Sequence, residues 1–428
     1  MLIYLIISLL ISIPIMLSEF AIGRSTRSNP MRAFSRLAPG TPWKGVGYMG
    51  ILCAFVILSF YCVIAGWALE FLGDSALNRF AGLTPGQIAG NFDTFVASGW
   101  RPILWTLVFI GATAFIILSG IEKGIERYNK ILMPVLFLLL AGMAANAMTL
   151  DGAREGIAFL LRPEFGKITA KTVLEALGQS FFSMSLGMGC MITYGSYLDK
   201  KQDLGKSTMI IVGMDTVVAL MAGLCVIPGR FALDPNGALG GPELLFITMQ
   251  NVFDKMGPAG PVFGILFYLL VFFAAISSSI SMLEVIVAHF CDKAREKGKG
   301  DRRKLYSAIV VVICAALCAL VCADGMGSNH ISPAELLGLA GAKLPGWSTS
   351  WLGLFDSVAE GLLMPLGALL MCLMISWELK PDVLRQEILL NGENRPWVYD
   401  FFRLCVKYIT PLCMLMILYG QISDFFIA

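Results

Sequence analysis

Long apolar runs alternate with short polar connections along this chain, and ten of the runs are long enough to cross a membrane. They cover roughly residues 1–23, 44–73, 101–120, 128–150, 172–198, 207–228, 261–290, 305–323, 351–377 and 401–426. A helix that crosses a hydrocarbon core of ~30 Å needs about 20 mostly apolar residues. Lipid offers no partner to backbone N–H and C=O groups, so each run is expected to be helical. The residue-by-residue alternation of a membrane barrel is missing from the runs. Four longer connections, 74–100, 151–171, 229–260 and 324–350, contain short amphipathic pieces, and 242–256 is expected to form a helix lying on the outside of the bundle.

Composition narrows the class. Of the 428 residues, 57% are hydrophobic and 14% are charged, with a mean hydropathy of +0.75. A soluble chain carries about 25% charged residues, which excludes a soluble globular or a disordered protein. The expected architecture is a single all-α, multi-pass transmembrane domain over residues 1–428. A net charge of +2 is too small for nucleic-acid binding. The placement of the positive charges matters more than their sum. The connections after the first, third, fifth, seventh and ninth runs hold 21 of the 32 Lys and Arg residues, seven of them between Lys293 and Lys304, so this set faces the cytoplasm. Both chain ends are then expected outside. Met1 opens directly onto an apolar run without a basic leader or a small-residue cleavage site, which predicts a membrane segment ahead of it rather than a signal peptide.

The eleven cysteines lie almost entirely within the apolar runs and form no C-x-x-C pair, which excludes a secreted disulfide framework. Cys314, Cys318 and Cys322 share a helix face and read as small residues that let helices approach. His289 and His330 have no metal-ligand spacing around them. Ionisable groups inside the spans carry more information, because each costs roughly 2.5–3.5 kcal/mol on insertion scales. Glu19, Asp215, Glu284 and Glu360 stand out. Asp215 lies in the apolar stretch 209–227 with no Lys or Arg within a turn or two. A bound cation would balance it; a proton shared with a neighbouring helix would do so equally.

Two strings depart from plain helix. SFFSMSLGMG (180–189) sets three serines and a Gly-Met-Gly at mid-membrane depth, where each glycine costs about 1 kcal/mol relative to alanine. Unwinding there would expose carbonyls and a half-helix N-terminus, which transporters use to hold ions and anionic groups; glycines serving close packing are the other reading. FFAAISSSIS (272–281) either bonds its hydroxyls back to i−4 carbonyls or offers hard oxygen donors to an alkali cation.

Together with IPIMLSEFAIGR (13–24), SFYCVIAGW (59–67) and KYITPLCMLMILYG (407–420), these strings resemble the neurotransmitter:sodium symporter family, particularly its bacterial amino-acid transporters with eleven helices. The resemblance covers essentially the whole chain, beginning at the family's second helix. It implies a leucine-transporter-like inverted-repeat bundle with one broken helix and sodium-coupled symport of an amino acid by alternating access in a bacterial inner membrane.

By the same resemblance, Ile57, Tyr61, Phe182, Ser185 and Met188 line the substrate pocket, Tyr61 bonding the substrate carboxylate and Phe182 closing the outer lid. Ser183 and Asp215 match ligands of the sodium ion that touches the substrate, and Ala274 (by its carbonyl), Ser277 and Ser278 match a second sodium site. Glu19 braces the unwound backbone. Asp292 and Asp356 resemble the acidic halves of the inner and outer gates. Gly124 and Pro134 allow a helix to unwind and admit water. Met188 and Ile57 favour an apolar or aromatic substrate, and a fixed carboxylate at Asp215 favours chloride independence.

The family's first helix has no counterpart here. Each sodium site is then expected to be incomplete on this chain alone, and both gate carboxylates lack their arginines. A truncated, non-transporting remnant is therefore the alternative function, and an intramembrane enzyme a weaker one, because neither histidine has an obvious nucleophile partner.

Overall fold

The apolar runs are helical, and no strand occurs among the described residues. These are residues 2–118, 126–234, 236, 241–298, 302–338, 346–389 and 396–426 of a computed structural model. Eight helices among them are long and apolar enough to span a membrane: α1 (Ile3–Thr26), α3 (Lys44–Ala76), α5 (Trp100–Leu118), α10 (Leu204–Leu233), α12 (within Gly257–Glu296), α13 (Arg303–Asp324), α14 (Trp351–Trp377) and α16 (Trp397–Ser423). The two remaining expected spans take other forms. One is α6 (Glu126–Met148), whose part from Met133 forms a pair with α7 (Ala153–Leu161) bent by 119°. The other is split into α8 (Ala170–Ser183) and α9 (Cys190–Tyr197).

Local sequence sets the helix ends. Asn29 caps the short helix α2 (Pro30–Leu37) by accepting the N–H of Arg32 at 3.2 Å, with proline at the first position, where no N–H is needed. Thr84 and Gln87 form a capping box at the start of α4 (Pro85–Ala97), in the connection after α3. Thr169 and Thr172 form another capping box at the start of α8, and Asp203 caps α10 by accepting the Lys206 N–H at 3.0 Å. The expected external helix between α10 and α12 is present as a π-helical turn, Leu244–Thr248, followed by α11 (Met249–Lys255). A short amphipathic helix, α15 (Pro381–Ile388), follows α14.

Close backbone approach organises the interior. Helix α3 runs along α12 and α5, and α1 lies against α9. A side-chain carbon added at Gly23 would sit 2.1 Å from the Ile192 carbonyl oxygen, and one at Gly195 would sit 2.7 Å from that of Phe20. Gly66 meets the Thr106 backbone in the same manner. Small residues do this work in membranes, where lipid tails supply no net hydrophobic drive between helices. The cysteines on α13 serve it too: Cys318 reaches the Ser59 carbonyl at 2.9 Å and Cys322 the Thr106 hydroxyl at 3.6 Å. Two buried charges are paired across helices, Arg24 with Glu387 of α15 at 2.5 Å and Glu70 with both Arg101 and Trp105.

Because the contact at Gly23 is with backbone, Gly23→Ala is expected to force α1 and α9 apart and cost about 1–3 kcal/mol, the usual range for overpacking. Thermal denaturation in detergent checks this, and an unchanged melting temperature contradicts it.

Candidate functional site

The site is built around the gap between α8 and α9. The helix stops at Ser183, and the chain crosses residues 184–189 with Ser185 at φ 52°, Gly187 at φ 78° and Gly189 at φ 77°. Glycine adopts these angles freely, whereas serine does so at a cost, a pattern that clusters at functional sites. The segment also has no room for side chains at its glycines. A carbon added at Gly187 would lie 2.4 Å from the Met364 carbonyl oxygen, and one at Gly367 of α14 would lie 2.7 Å from the Gly187 oxygen.

A carboxylate takes over where the helix leaves off. Glu19 of α1 is fully buried, and its Oε1 accepts the Gly187 N–H at 2.7 Å. Its Oε2 has no hydrogen-bond partner among the described residues, and the backbone N–H groups of Met191 and Ile192, at the start of α9, also face the carboxyl group. The unpaired backbone donor released by the break is therefore satisfied by a buried carboxyl oxygen.

Beside the break lies Asp215 of α10. Ser183, the last residue of α8, donates to its Oδ1 and Oδ2 at 2.8 and 2.9 Å, and Tyr4 of α1 donates to Oδ2 at 2.8 Å. Two hydroxyls surround this carboxylate, and no Lys or Arg pairs with it among the described residues. A buried hydroxyl pair joins α1 to α8, where Ser12 and Ser180 lie 2.6 Å apart at a π-helical turn, Ser8–Ser12. Such turns mark functional positions more often than chance.

The second expected set lies on α12. Ser277 donates to the Ala274 carbonyl at 2.8 Å, Ser281 to the Ser277 carbonyl at 3.1 Å, and Ser279 to the Ile276 carbonyl at 2.9 Å. Back-bonding of these hydroxyls is thus real, but it leaves their lone pairs and those of the carbonyls available. Ser278 is exposed and lies against Tyr61 of α3. Phe182, Ser185 and Tyr61 are half-buried, while Ile57 and Met188 are 1% and 2% exposed, so neither of the latter faces open space in this conformation.

The other expected residues lie elsewhere. Asp292, near the end of α12, accepts the backbone N–H and side-chain amide of Asn29 at 3.2 and 2.8 Å, which clamps the α1–α2 connection to α12. Asp356 precedes a π-helical stretch, Ser357–Leu363, and its carboxyl meets that of Glu360 one turn on. Pro134 sits within α6, and Gly124 lies outside the described residues. Sequence reasoning missed Tyr4, a lone tyrosine in an apolar run, and Tyr197, whose hydroxyl donates to Glu284 at 2.9 Å beside Arg303.

Comparison with known proteins identifies the family. The sequence model of the sodium:neurotransmitter symporter family matches residues 1–82 and 98–426. The chain belongs to that family. YhdH, an uncharacterized sodium-dependent transporter of Bacillus subtilis (strain 168), is similar at 34% identity over 99% of this chain and 89% of its own length. An uncharacterized sodium-dependent transporter of Haemophilus influenzae is similar at 33% identity over 97% of this chain and 88% of its own. Among solved structures, the crystal structure of MhsT in complex with L-phenylalanine is similar with a TM-score of 0.85 and 36% identity, covering 98% of this chain and 90% of that one. The symporter is thus a sodium-dependent, polytopic membrane transporter with a leucine-transporter-like fold, not an enzyme.

Removing the buried acceptor exposes the role of the break. Glu19→Ala leaves the Gly187 N–H unpaired and is expected to cost this symporter about 1–3 kcal/mol, with amide hydrogen exchange rising selectively at 184–189. Exchange that rises uniformly along the chain, or not at all, contradicts that role.

Proposed function

We propose that the protein couples the inward movement of sodium to uptake of a small apolar or aromatic amino acid by alternating access across a bacterial inner membrane. The observation that carries this reading is Asp215, a carboxylate within an apolar span whose partners are the hydroxyls of Tyr4 and Ser183 rather than a basic side chain. Each of those groups donates to the carboxylate, so they stabilise its ionised form while leaving its charge uncompensated. A dehydrated monovalent cation supplies the missing charge, and hard oxygen donors are what such an ion prefers.

Ser183 and Asp215 bind this first sodium ion. The Ala274 carbonyl, Ser277 and Ser278 contribute to a second. Neither set fills a coordination shell by itself. At the first site the substrate carboxylate, held by Tyr61 and by N–H groups freed at the break, supplies a further ligand. Sodium and substrate then each raise the affinity of the other, and that mutual gain is the coupling free energy of transport. Because Asp215 brings a fixed negative charge, no chloride ion is needed. Glu19 keeps the break open, and Phe182 covers the substrate from outside. Asp356 and Asp292 lie at the outer and inner gates, and Gly124 and Pro134 let α6 loosen to hydrate the second sodium site.

The apolar side chains that the family resemblance assigns to the substrate pocket, Ile57, Phe182 and Met188, favour an apolar or aromatic substrate over a charged one. The phenylalanine bound in the MhsT structure, at 36% identity to this chain, supports the same class.

In proteoliposomes of the full-length protein, phenylalanine or leucine uptake is expected to vanish when external sodium is replaced by potassium and to fall at least tenfold in Asp215→Ala. Uptake that persists without sodium sinks the proposal. Replacing chloride by gluconate is expected to leave the rate unchanged; a matching loss of uptake contradicts the role given to the Asp215 charge.

A further inference from the structure

A second cavity, of about 470 Å³, opens on the face of the bundle opposite the basic connections, between the end of α3, the external helix α11 and the turn leading into α12. Its volume falls within the range of small-molecule sites, about 300–1,000 Å³. Its position separates it from the site at the break. Ser75 lies 14 residues along α3 from Tyr61, about 21 Å at the rise of a helix. Pro261, on the cavity's other wall, is 16 residues along α12 from Ser277, a distance of about 24 Å.

The lining combines rings, neutral polar groups and one charge. Phe80 and Phe253 contribute aromatic walls, and Ser75, Asn78 and Gln250 contribute a hydroxyl and two carboxamides. The Ser75 hydroxyl, on a residue 2% exposed, has no hydrogen-bond partner among the described residues. The charge is that of Asp254. Its Oδ1 accepts the Gly82 N–H at 3.1 Å, which pins the turn after α3 to the external helix, and its Oδ2 has no partner among the described residues. No Lys or Arg lines the cavity among those residues. The nearby cations are engaged elsewhere: Lys255 donates to the Leu233 carbonyl, and Arg79 pairs with Asp74 at 2.8 Å.

A half-open cavity with aromatic walls and one carboxylate lacking a counter-ion selects for positive charge on a compact apolar body. The geometry points to a second ligand site for a small organic ammonium, held by charge against Asp254 and by its alkyl or aryl part against Phe80 and Phe253. An occupant joins the end of α3, the external helix and the start of α12, three elements whose rings already interlock. Phe71 stacks on Phe80 at 5.4 Å, and Phe253 meets Phe267 at 5.4 Å and Tyr268 at 6.3 Å. The site therefore fastens the external helix to the bundle from outside, independently of the residues that handle sodium.

Benzyltrimethylammonium is a suitable probe, since it has no carboxylate for the site at the break and no proton to lose. Binding to the purified full chain in nanodiscs, measured in sodium-free buffer by saturation-transfer difference NMR, is expected to saturate in the millimolar range or below. Its anionic counterpart 3-phenylpropionate is expected not to bind. Asp254→Asn keeps the acceptor for Gly82 and is expected to weaken the cation at least tenfold while leaving sodium-dependent amino-acid binding intact. Three results overturn the proposal: no saturable binding of the cation, equal binding of cation and anion by the wild-type chain, or equal affinity in Asp254→Asn. The first two need no variant, so a poorly folding Asp254→Asn leaves the proposal falsifiable. Failure of sodium-driven uptake, by contrast, bears only on the transport site.

Discussion

A chain that leaves its helix halfway across a membrane frees backbone donors and acceptors that lipid cannot satisfy. Everything distinctive about this protein follows from how residues 184–189 meet that constraint. The Gly187 N–H goes to the buried Glu19 carboxylate, and the Gly187 carbonyl lies so close to Gly367 that no side chain fits there. Without the glycines the segment could not approach α14, and without Glu19 it would carry an unpaired donor. The break is therefore held open by specific partners on two other helices, and it ends α8 at Ser183, beside Asp215.

Two carboxylates in one membrane bundle thus do different things. Glu19 faces a backbone donor and serves the fold. Asp215 faces hydroxyls, with Tyr4 and Ser183 orienting it while its charge stays uncompensated. Three other acids pair with bases: Glu70 with Arg101, Glu387 with Arg24, and Glu284 with Arg303 and Tyr197, while the buried Asp324 accepts the backbone N–H groups of Gly327 and Trp351. Asp215 has no basic partner and, unlike Glu19 and Asp324, meets side-chain hydroxyls rather than backbone N–H groups, which leaves its charge for an ion to balance. Its helix, α10, is buried over only 11% of its most apolar window, against 72% for α1. The carboxylate lies on the narrow inward strip of that helix.

Much of this was legible in the sequence, for physical reasons. Twenty apolar residues in a row admit few structures, so the spans and their helical state follow from length alone. The break at 184–189 is written in its glycines and serines, and Asp215 is conspicuous because it sits among residues that repel charge. Tyr4 was not legible. It is 211 residues from Asp215, and a single tyrosine in an apolar run has the same appearance whether it meets a carboxylate or lipid. The partner of Asp292 was hidden likewise: Asn29 reads as a helix cap, which it is, and only the fold reveals that its remaining donors reach α12. The division of α6 from α7 by a sharp bend and the π-helical turns of α1 and α14 also escape periodicity, since one extra residue per turn leaves no compositional trace.

The central claim is that Asp215 and its hydroxyl neighbours hold a dehydrated alkali ion. A high-resolution experimental map of the full-length protein with sodium and phenylalanine addresses it most directly. The account predicts ion density bonded to the Asp215 carboxylate and the Ser183 hydroxyl, and its replacement by the heavier signal of thallium when that ion substitutes for sodium. An Asp215 carboxylate capped only by Tyr4 and Ser183 in saturating sodium, with no ion density beside it, would contradict the account.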